Sequence, residues 1–326
     1  LAHLPAARLP MYDRVTQYAL VAGAEAMAMA GLPAGLGPRG GVIMGTAAGG
    51  IATWEDSYRA VFAEGKNRVS PLTVPRLMHN AAASHLSIIW GLTGPVFSVS
   101  SACASANHAM GLALQQIRAG VADVMLAGGA EAMLCFGGVK AWEGLRVLAP
   151  DACRPFSLGR KGMVIGDGAG VLVFEAEDHA RARGARVLAE VAGFAMTADA
   201  GDIVAPNPMG AAAAMRAALA DAGLVAGDIG HINAHGTGTL ANDRSEAAAI
   251  RAVATPMATV MAMPATATIR VETTVTIPAT VAAMAGVFFG PLLLTSYLKY
   301  SFLDVEKKKT KINISHKKIL FLAFRG

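Results

Sequence analysis

Apolar and polar positions along this chain repeat at two alternating periods. Tyr12, Val15, Ala19, Ala22, Ala26 and Met29 recur at helical spacing and Gly31 closes the run, which predicts a helix over residues 12–30 with these side chains facing inward. Gly41-Val42-Ile43-Met44-Gly45 is a short apolar run between glycines, the pattern of a buried strand. Residues 96–100 predict a second strand, residues 104–118 a helix stopped before Gly120, and residues 123–127 a third strand. Further on, residues 170–174 and 188–191 read as strands, 211–222 as a helix and 231–234 as a strand. Strands and helices alternating at these lengths predict an α/β architecture around a largely buried sheet.

The pattern changes after Val253. Residues 257–280 are low in complexity, built mainly from Ala, Thr, Met, Val and Pro, with no clear period. Residues 275–297 form an uncharged stretch of bilayer-spanning length, interrupted by Pro278 and Pro291 and followed by Lys307-Lys308-Lys309-Thr310-Lys311. One reading is a membrane anchor with a basic flank. The other, which the abrupt change from Arg to Lys favours, is an aberrant segment without selected structure.

Composition narrows the class. Hydrophobic residues make up 54% of the 326, charged residues 16%, and there are 36 glycines, a profile suited to a large close-packed core. The net charge of +5 is local: residues 1–298 hold 20 Lys and Arg against 21 Asp and Glu, whereas residues 299–326 hold 8 against 2. The body therefore gives no support for nucleic-acid binding. Cys103, Cys135 and Cys153 show neither metal-ligand spacing nor an even-numbered disulfide framework, which points to a reducing, cytoplasmic setting, with inner-membrane association if residues 275–297 anchor the chain. No secretory signal opens the sequence, and its first residues read as the continuation of something longer.

Two segments carry candidate chemistry. Val99-Ser100-Ser101-Ala102-Cys103-Ala104-Ser105-Ala106-Asn107-His108 sets a cysteine where a strand passes into a helix. First-turn amides and the helix dipole favour a thiolate there, and small neighbours leave room for a substrate. The competing reading, at even odds from these residues alone, is a small buried hydrophobe; Cys135 and Cys153 lack this setting and read as structural. In Asn233-Ala234-His235-Gly236-Thr237-Gly238-Thr239-Leu240-Ala241-Asn242-Asp243-Arg244-Ser245-Glu246, a histidine at a strand end is followed by alternating Gly and Thr. Glycines admit close backbone approach and the hydroxyls can bind amides of an extended arm. A lone histidine at a strand end is otherwise a structural residue.

Together with Arg154-Pro155-Phe156-Ser157 and Gly166-Asp167-Gly168-Ala169-Gly170, these segments resemble the motifs of the thiolase-like condensing enzymes, specifically β-ketoacyl-[acyl carrier protein] synthases, over residues 11–253. The wording of residues 142–151 is closest to the nodulation branch of that family, which builds the fatty-acyl part of lipo-oligosaccharide signals. The resemblance implies a thiolase-like layered fold of two related halves, here residues 1–160 with the nucleophile and a truncated C-terminal half over residues 161–254, followed by an aberrant tail over residues 255–326. It implies that Cys103 accepts an acyl group from the phosphopantetheine of acyl carrier protein, that His235 assists decarboxylation of a malonyl donor, and that Thr237 and Thr239 hold the pantetheine arm. Asp243 and Glu246 match acids that organise the site, and the Cys103 amide matches half of an oxyanion hole. Ala48 and Met163 stand where many relatives carry larger residues, which implies a wider acyl pocket. No metal or nucleotide cofactor is implied; the implied partners are acyl carrier protein and, with a complete fold, a second copy.

Two family features have no counterpart in the 326 residues: the Lys-Ser-x-x-Gly-His motif and the C-terminal Gly-Phe-Gly-Gly loop. Acyl-chain elongation is thus the expected family reaction, with this chain expected to be defective in it. The alternatives are a thiolase or other acyltransferase, and a non-catalytic membrane-associated or partner-binding fragment.

Overall fold

The computed structural model describes residues 6–254 and 318–322. A short 3-10 turn leads into α1 (Arg14–Ala30), which Asp13 caps by accepting from Val15 N and which Gly31 ends in the left-handed region. Then follow β1 (Gly40–Gly45), α2 (Ile51–Tyr58) with a single π turn at its end, α3 (Thr73–Leu77), α4 (Ala81–Trp90), β2 (Val96–Val99), α5 (Ser105–Arg118) and β3 (Val124–Glu131). After α6 (Phe136–Gly144) come β4 (Gly168–Glu175), α7 (Glu177–Ala182), β5 (Glu190–Ala195), α8 (Pro208–Ala222), α9 (Leu240–Ala254) and β6 (Lys318–Leu322).

Four strands form a mixed sheet in the order β2-β1-β3-β4, with β1 parallel to both neighbours and β4 antiparallel to β3. Every residue of β1 and β3 is buried, as the glycine-bounded apolar run at residues 41–45 predicts. One face of the sheet carries α1 and α4, with Val15, Leu20, Met27 and Leu86 packed against Val42, Met44 and Leu126. The other carries α5, with Ala109, Met110 and Ala113 against Ile43, Met125 and Phe174. The sheet is thus the middle of three layers.

Glycines decide how close α5 comes. A Cβ on Gly45 would lie 2.3 Å from the carbonyl carbon of Ser105, and one on Gly129 would lie 2.7 Å from Ala106 Cβ. The first turn of α5 therefore sits directly on the ends of β1 and β3, and that contact fixes the chain just before it.

Several expectations need correction. Met29 is about half exposed, and Met27 takes the inward position, because the buried stripe of α1 also includes Thr16, Leu20 and Gly23 and so is centred away from Met29. The strand expected at residues 188–191 runs over Glu190–Ala195 instead, where Phe194 packs beside α5. Residues 231–234 are not a strand: no ladder partner pairs with them among the described residues, and an extended run without one stays irregular. Within residues 255–326, read as lacking structure, Lys318–Leu322 forms a parallel pair with β5. Gly35-Leu36-Gly37-Pro38-Arg39-Gly40 has G-x-G-x-x-G spacing but runs into β1, the reverse of the strand–turn–helix order that dinucleotide binding requires. Residues 275–297 and His316 lie outside the described residues; among those described, no helix is long and apolar enough to cross a membrane.

Gly45→Ala should drive the first turn of α5 off the sheet and destabilise the chain by about 1–3 kcal/mol, the usual range for overpacking. Gly159→Ala, where an added Cβ meets nothing within 4 Å, should change stability by less than about 0.5 kcal/mol. Urea unfolding midpoints of the two variants measure the contrast.

Candidate active site

The candidate residues gather into two clusters, one on the turn between β2 and α5, the other on the loop before α9. The first begins where β2 ends at Val99. Ala102 adopts φ 49°, a left-handed conformation that is unfavourable for a residue with a Cβ. Hydrogen bonds hold it there. Ser105 Oγ accepts from Ser101 N at 2.8 Å and donates to Ala102 O at 2.7 Å, while Ser101 Oγ lies 2.6 Å from His108 Nδ1. The His108 ring stands edge-on to Phe194, and burial lowers its pKa. Cys103 follows Ala102, half-buried and two residues ahead of α5.

The thiolate expected at this helix start is not favoured. Burial pushes the Cys103 thiol above its ordinary value, against a lowering from its own backbone amide, and the charge of Glu131 adds the smallest upward push. Burial outweighs the lowering that the amide at the helix start supplies.

Glu131, at the last position of β3, is only 3% exposed. Its carboxylate accepts from Thr46 Oγ1 at 3.2 Å and Ala47 N at 2.7 Å, with the Ala48 and Ala132 amides also directed at it. Ser100 Oγ donates to Ala47 O at 3.4 Å, so the segment carrying Ala48 is tied both to Glu131 and to the turn bearing Cys103. Sequence reasoning missed Glu131. The signal was present as a single acid closing the small and apolar run Val124-Met125-Leu126-Ala127-Gly128-Gly129-Ala130.

In the second cluster, two buried carboxylates shape the glycine–threonine loop. Glu246 accepts from His235 N at 2.6 Å and Gly236 N at 2.9 Å; Asp243 accepts from Gly238 N at 3.1 Å and Phe156 N at 2.7 Å. Arg160 Nε lies 3.4 Å from Asp243 Oδ2, an ion-pair distance without hydrogen-bond alignment. Thr237 Oγ1 and Thr239 Oγ1 are 2.8 Å apart, and Cys153 Sγ donates to Thr237 O. Gly238 has φ 74°, and a Cβ there would lie 2.6 Å from Gly162 O, so glycine serves both the turn and the close pass of the neighbouring segment. Gly162 N donates to Gly238 O, and Met163 pairs with Leu148, which brings Met163 to this cluster through its backbone. Burial lowers the His235 pKa, opposed by the charges of Glu246 and then Asp243, so the site favours the neutral ring. Of the remaining cysteines, Cys135 lies beside Glu55 at the start of α6 and Cys153 is buried. Among the described residues no group of three or more His, Cys, Asp or Glu could hold a metal ion.

This arrangement has counterparts among known proteins. Residues 3–180 match the family described as Beta-ketoacyl synthase, N-terminal domain, and residues 188–269 match Beta-ketoacyl synthase, C-terminal domain. The chain belongs to the β-ketoacyl synthase family. It is 52% identical over 252 residues to Nodulation protein E of Rhizobium leguminosarum bv. trifolii, covering 77% of this chain and 63% of that protein. It is 41% identical over 249 residues to 3-oxoacyl-[acyl-carrier-protein] synthase 2 of Vibrio cholerae serotype O1, covering 73% of this chain and 60% of that protein. A chain of the AntDE:AntF structure, described as a type II polyketide synthase acyl-carrier protein in complex with its ketosynthase bound to the hexaketide, matches with TM-score 0.69 and 34% identity, over 74% of this chain and 63% of that one. The fold is therefore the thiolase-like ketosynthase fold. This β-ketoacyl synthase chain spans less than two thirds of the length of these relatives. The C-terminal match runs to residue 269, beyond the resemblance read to residue 253.

A partly buried histidine whose pKa is lowered makes stability depend on pH with a definite sign. Because burial lowers the folded pKa of His108 below the ordinary 6.5, the unfolded chain binds more protons as pH falls, and stability is lost as pH drops through that range. His108→Gln should flatten the slope of unfolding free energy between pH 7 and pH 5, measured by urea titration at each pH.

Proposed function

We propose that Cys103 is an acyl-accepting nucleophile served by acyl carrier protein, and that the reaction of the site is condensation of a Cys-bound acyl group with malonyl-[acyl carrier protein]. The observation that carries this reading is the Cys103 turn, held in left-handed geometry against the sheet by Ser105 and His108. In the first step the Cys103 sulfur attacks the thioester carbonyl carbon, the bond to the pantetheine sulfur breaks, and that sulfur leaves carrying a proton. Cys103 need not rest as a thiolate for this exchange, since its proton is passed on as the bond forms. A neutral His235 then serves as a hydrogen-bond donor to the malonyl thioester oxygen while carbon dioxide departs and enolate charge develops. Thr237 and Thr239 are assigned to the pantetheine arm, with Asp243 and Glu246 holding the loop that presents them. Similarity to Nodulation protein E supports an acyl product destined for a nodulation lipo-oligosaccharide. Among the described residues β2 is the terminal strand of its sheet, and that edge supports a homodimer as the working assembly.

We further propose that this 326-residue chain accepts an acyl group but does not complete condensation, because it contains neither a Lys-Ser-x-x-Gly-His motif nor a Gly-Phe-Gly-Gly loop. One lost oxyanion donor alone costs roughly 10²–10³ in rate. Incubation with acyl-[acyl carrier protein] should give slow thioester formation that maps to Cys103 and disappears in Cys103→Ser. Carbon dioxide release from malonyl-[acyl carrier protein] should stay at background. Label on Cys135 or Cys153, or turnover matching a complete synthase, overturns the respective part.

Ala48→Phe should reduce acylation by long chains far more than by short ones, read as the ratio of initial rates for two acyl lengths. Equal losses would remove Ala48 from the pocket.

A further inference from the structure

Every buried carboxylate in the second cluster has a partner role in the glycine–threonine loop, but Glu131 belongs to the first cluster and has no part in the chemistry above. Its surroundings are one-sided. Both oxygens face donors: the Thr46 hydroxyl and the amides of Ala47, Ala48 and Ala132. The facing segment Gly45-Thr46-Ala47-Ala48-Gly49-Gly50 contains no ionisable side chain, and the charged or titratable group beside Glu131 is Cys103 itself. On the helix side, His108 is engaged with Ser101. Burial raises the Glu131 pKa, and hydrogen bonds from the Ala47 amide and the Thr46 hydroxyl pull it back. Thr46 Oγ1 in turn accepts from Gly49 N at 3.1 Å, which extends the grip across the whole turn carrying Ala48.

We propose that Glu131 is a positioning residue for acyl-chain selection: its buried carboxyl group fixes the Thr46–Gly49 turn, which carries Ala48, against the turn bearing Cys103. This role rests on the acyl-transfer reading given above. A carboxyl group suits the task because its two oxygens gather the Thr46 hydroxyl and the Ala47 amide at once. In an amide of the same shape, one of those oxygens becomes an NH₂ that faces a donor.

The test compares acylation of Cys103 by a long and a short acyl-[acyl carrier protein], read as the ratio of initial rates, in proteins whose fold is checked by near-UV circular dichroism. Glu131→Gln should alter that ratio by severalfold. Thr46→Val removes one donor to Glu131 and should change the ratio in the same direction. An unchanged ratio in a folded variant, with Cys103 still acylated, overturns the positioning role, and Thr46→Val decides the matter if Glu131→Gln does not fold. Absence of acylation in the unsubstituted chain refutes the acyl-transfer reading itself, whereas normal acylation with an unchanged ratio in the variants refutes only the role of Glu131.

Discussion

The contact on which the rest of this structure depends is the seating of the first turn of α5 on the ends of β1 and β3. It is possible only because Gly45 and Gly129 have no side chains: any Cβ there would collide with the Ser105 backbone or with Ala106. With the helix start pinned, the residues before it must reverse direction in very little space, which places Ala102 in the left-handed region and recruits Ser105 and His108 to hold it. The same close approach brings the end of β3, and hence Glu131, beside Cys103. Backbone proximity, strained turn and local electrostatics follow from one steric fact.

A second theme is the use of buried acids as scaffolding. Asp13 caps α1 and also accepts from the amide and hydroxyl of Thr53, joining α1 to α2. Glu131 gathers the turn after β1, Glu246 the backbone of His235 and Gly236, and Asp243 that of Gly238 and Phe156. Loop amides that would otherwise be buried without partners converge on an oxygen pair that accepts several at once. The burial of charge that this entails is offset by charge-assisted hydrogen bonds. These loops are therefore rigid without regular secondary structure, as a site must be if it is to hold reacting groups in place.

Much of this was legible in the sequence. The buried strands β1 and β3 were announced by glycine-bounded apolar runs, and α1 and α5 by helical periods with glycines at their ends. The segments around Cys103 and His235 stood out because small residues, glycines and hydroxyls crowd round one reactive side chain. What was not legible depends on distant pairing. Residues 231–234 have strand-like composition but no ladder partner among the described residues, and Glu190–Ala195 takes its register from β6, over a hundred residues away. The upward shift of the Cys103 thiol could not be read from its place ahead of a helix, because burial, which only the tertiary fold sets, outweighs the local amide. Glu131 itself was passed over because one acid at the end of a strand has no periodicity to reveal it.

The glycines under α5 also constrain the gene. Glycine codons share their first two bases, and any change in either base replaces glycine or stops translation. At the codons for Gly45, Gly128 and Gly129, each such substitution puts a side chain into space already filled by Ser105, Gly170 or Ala106. Only third-base changes pass reliably without structural effect. These codons can therefore drift almost solely in their wobble position, whereas at the codons for Gly144, Gly159 and Gly227, whose glycines face open space, a second-base change to alanine meets no steric bar.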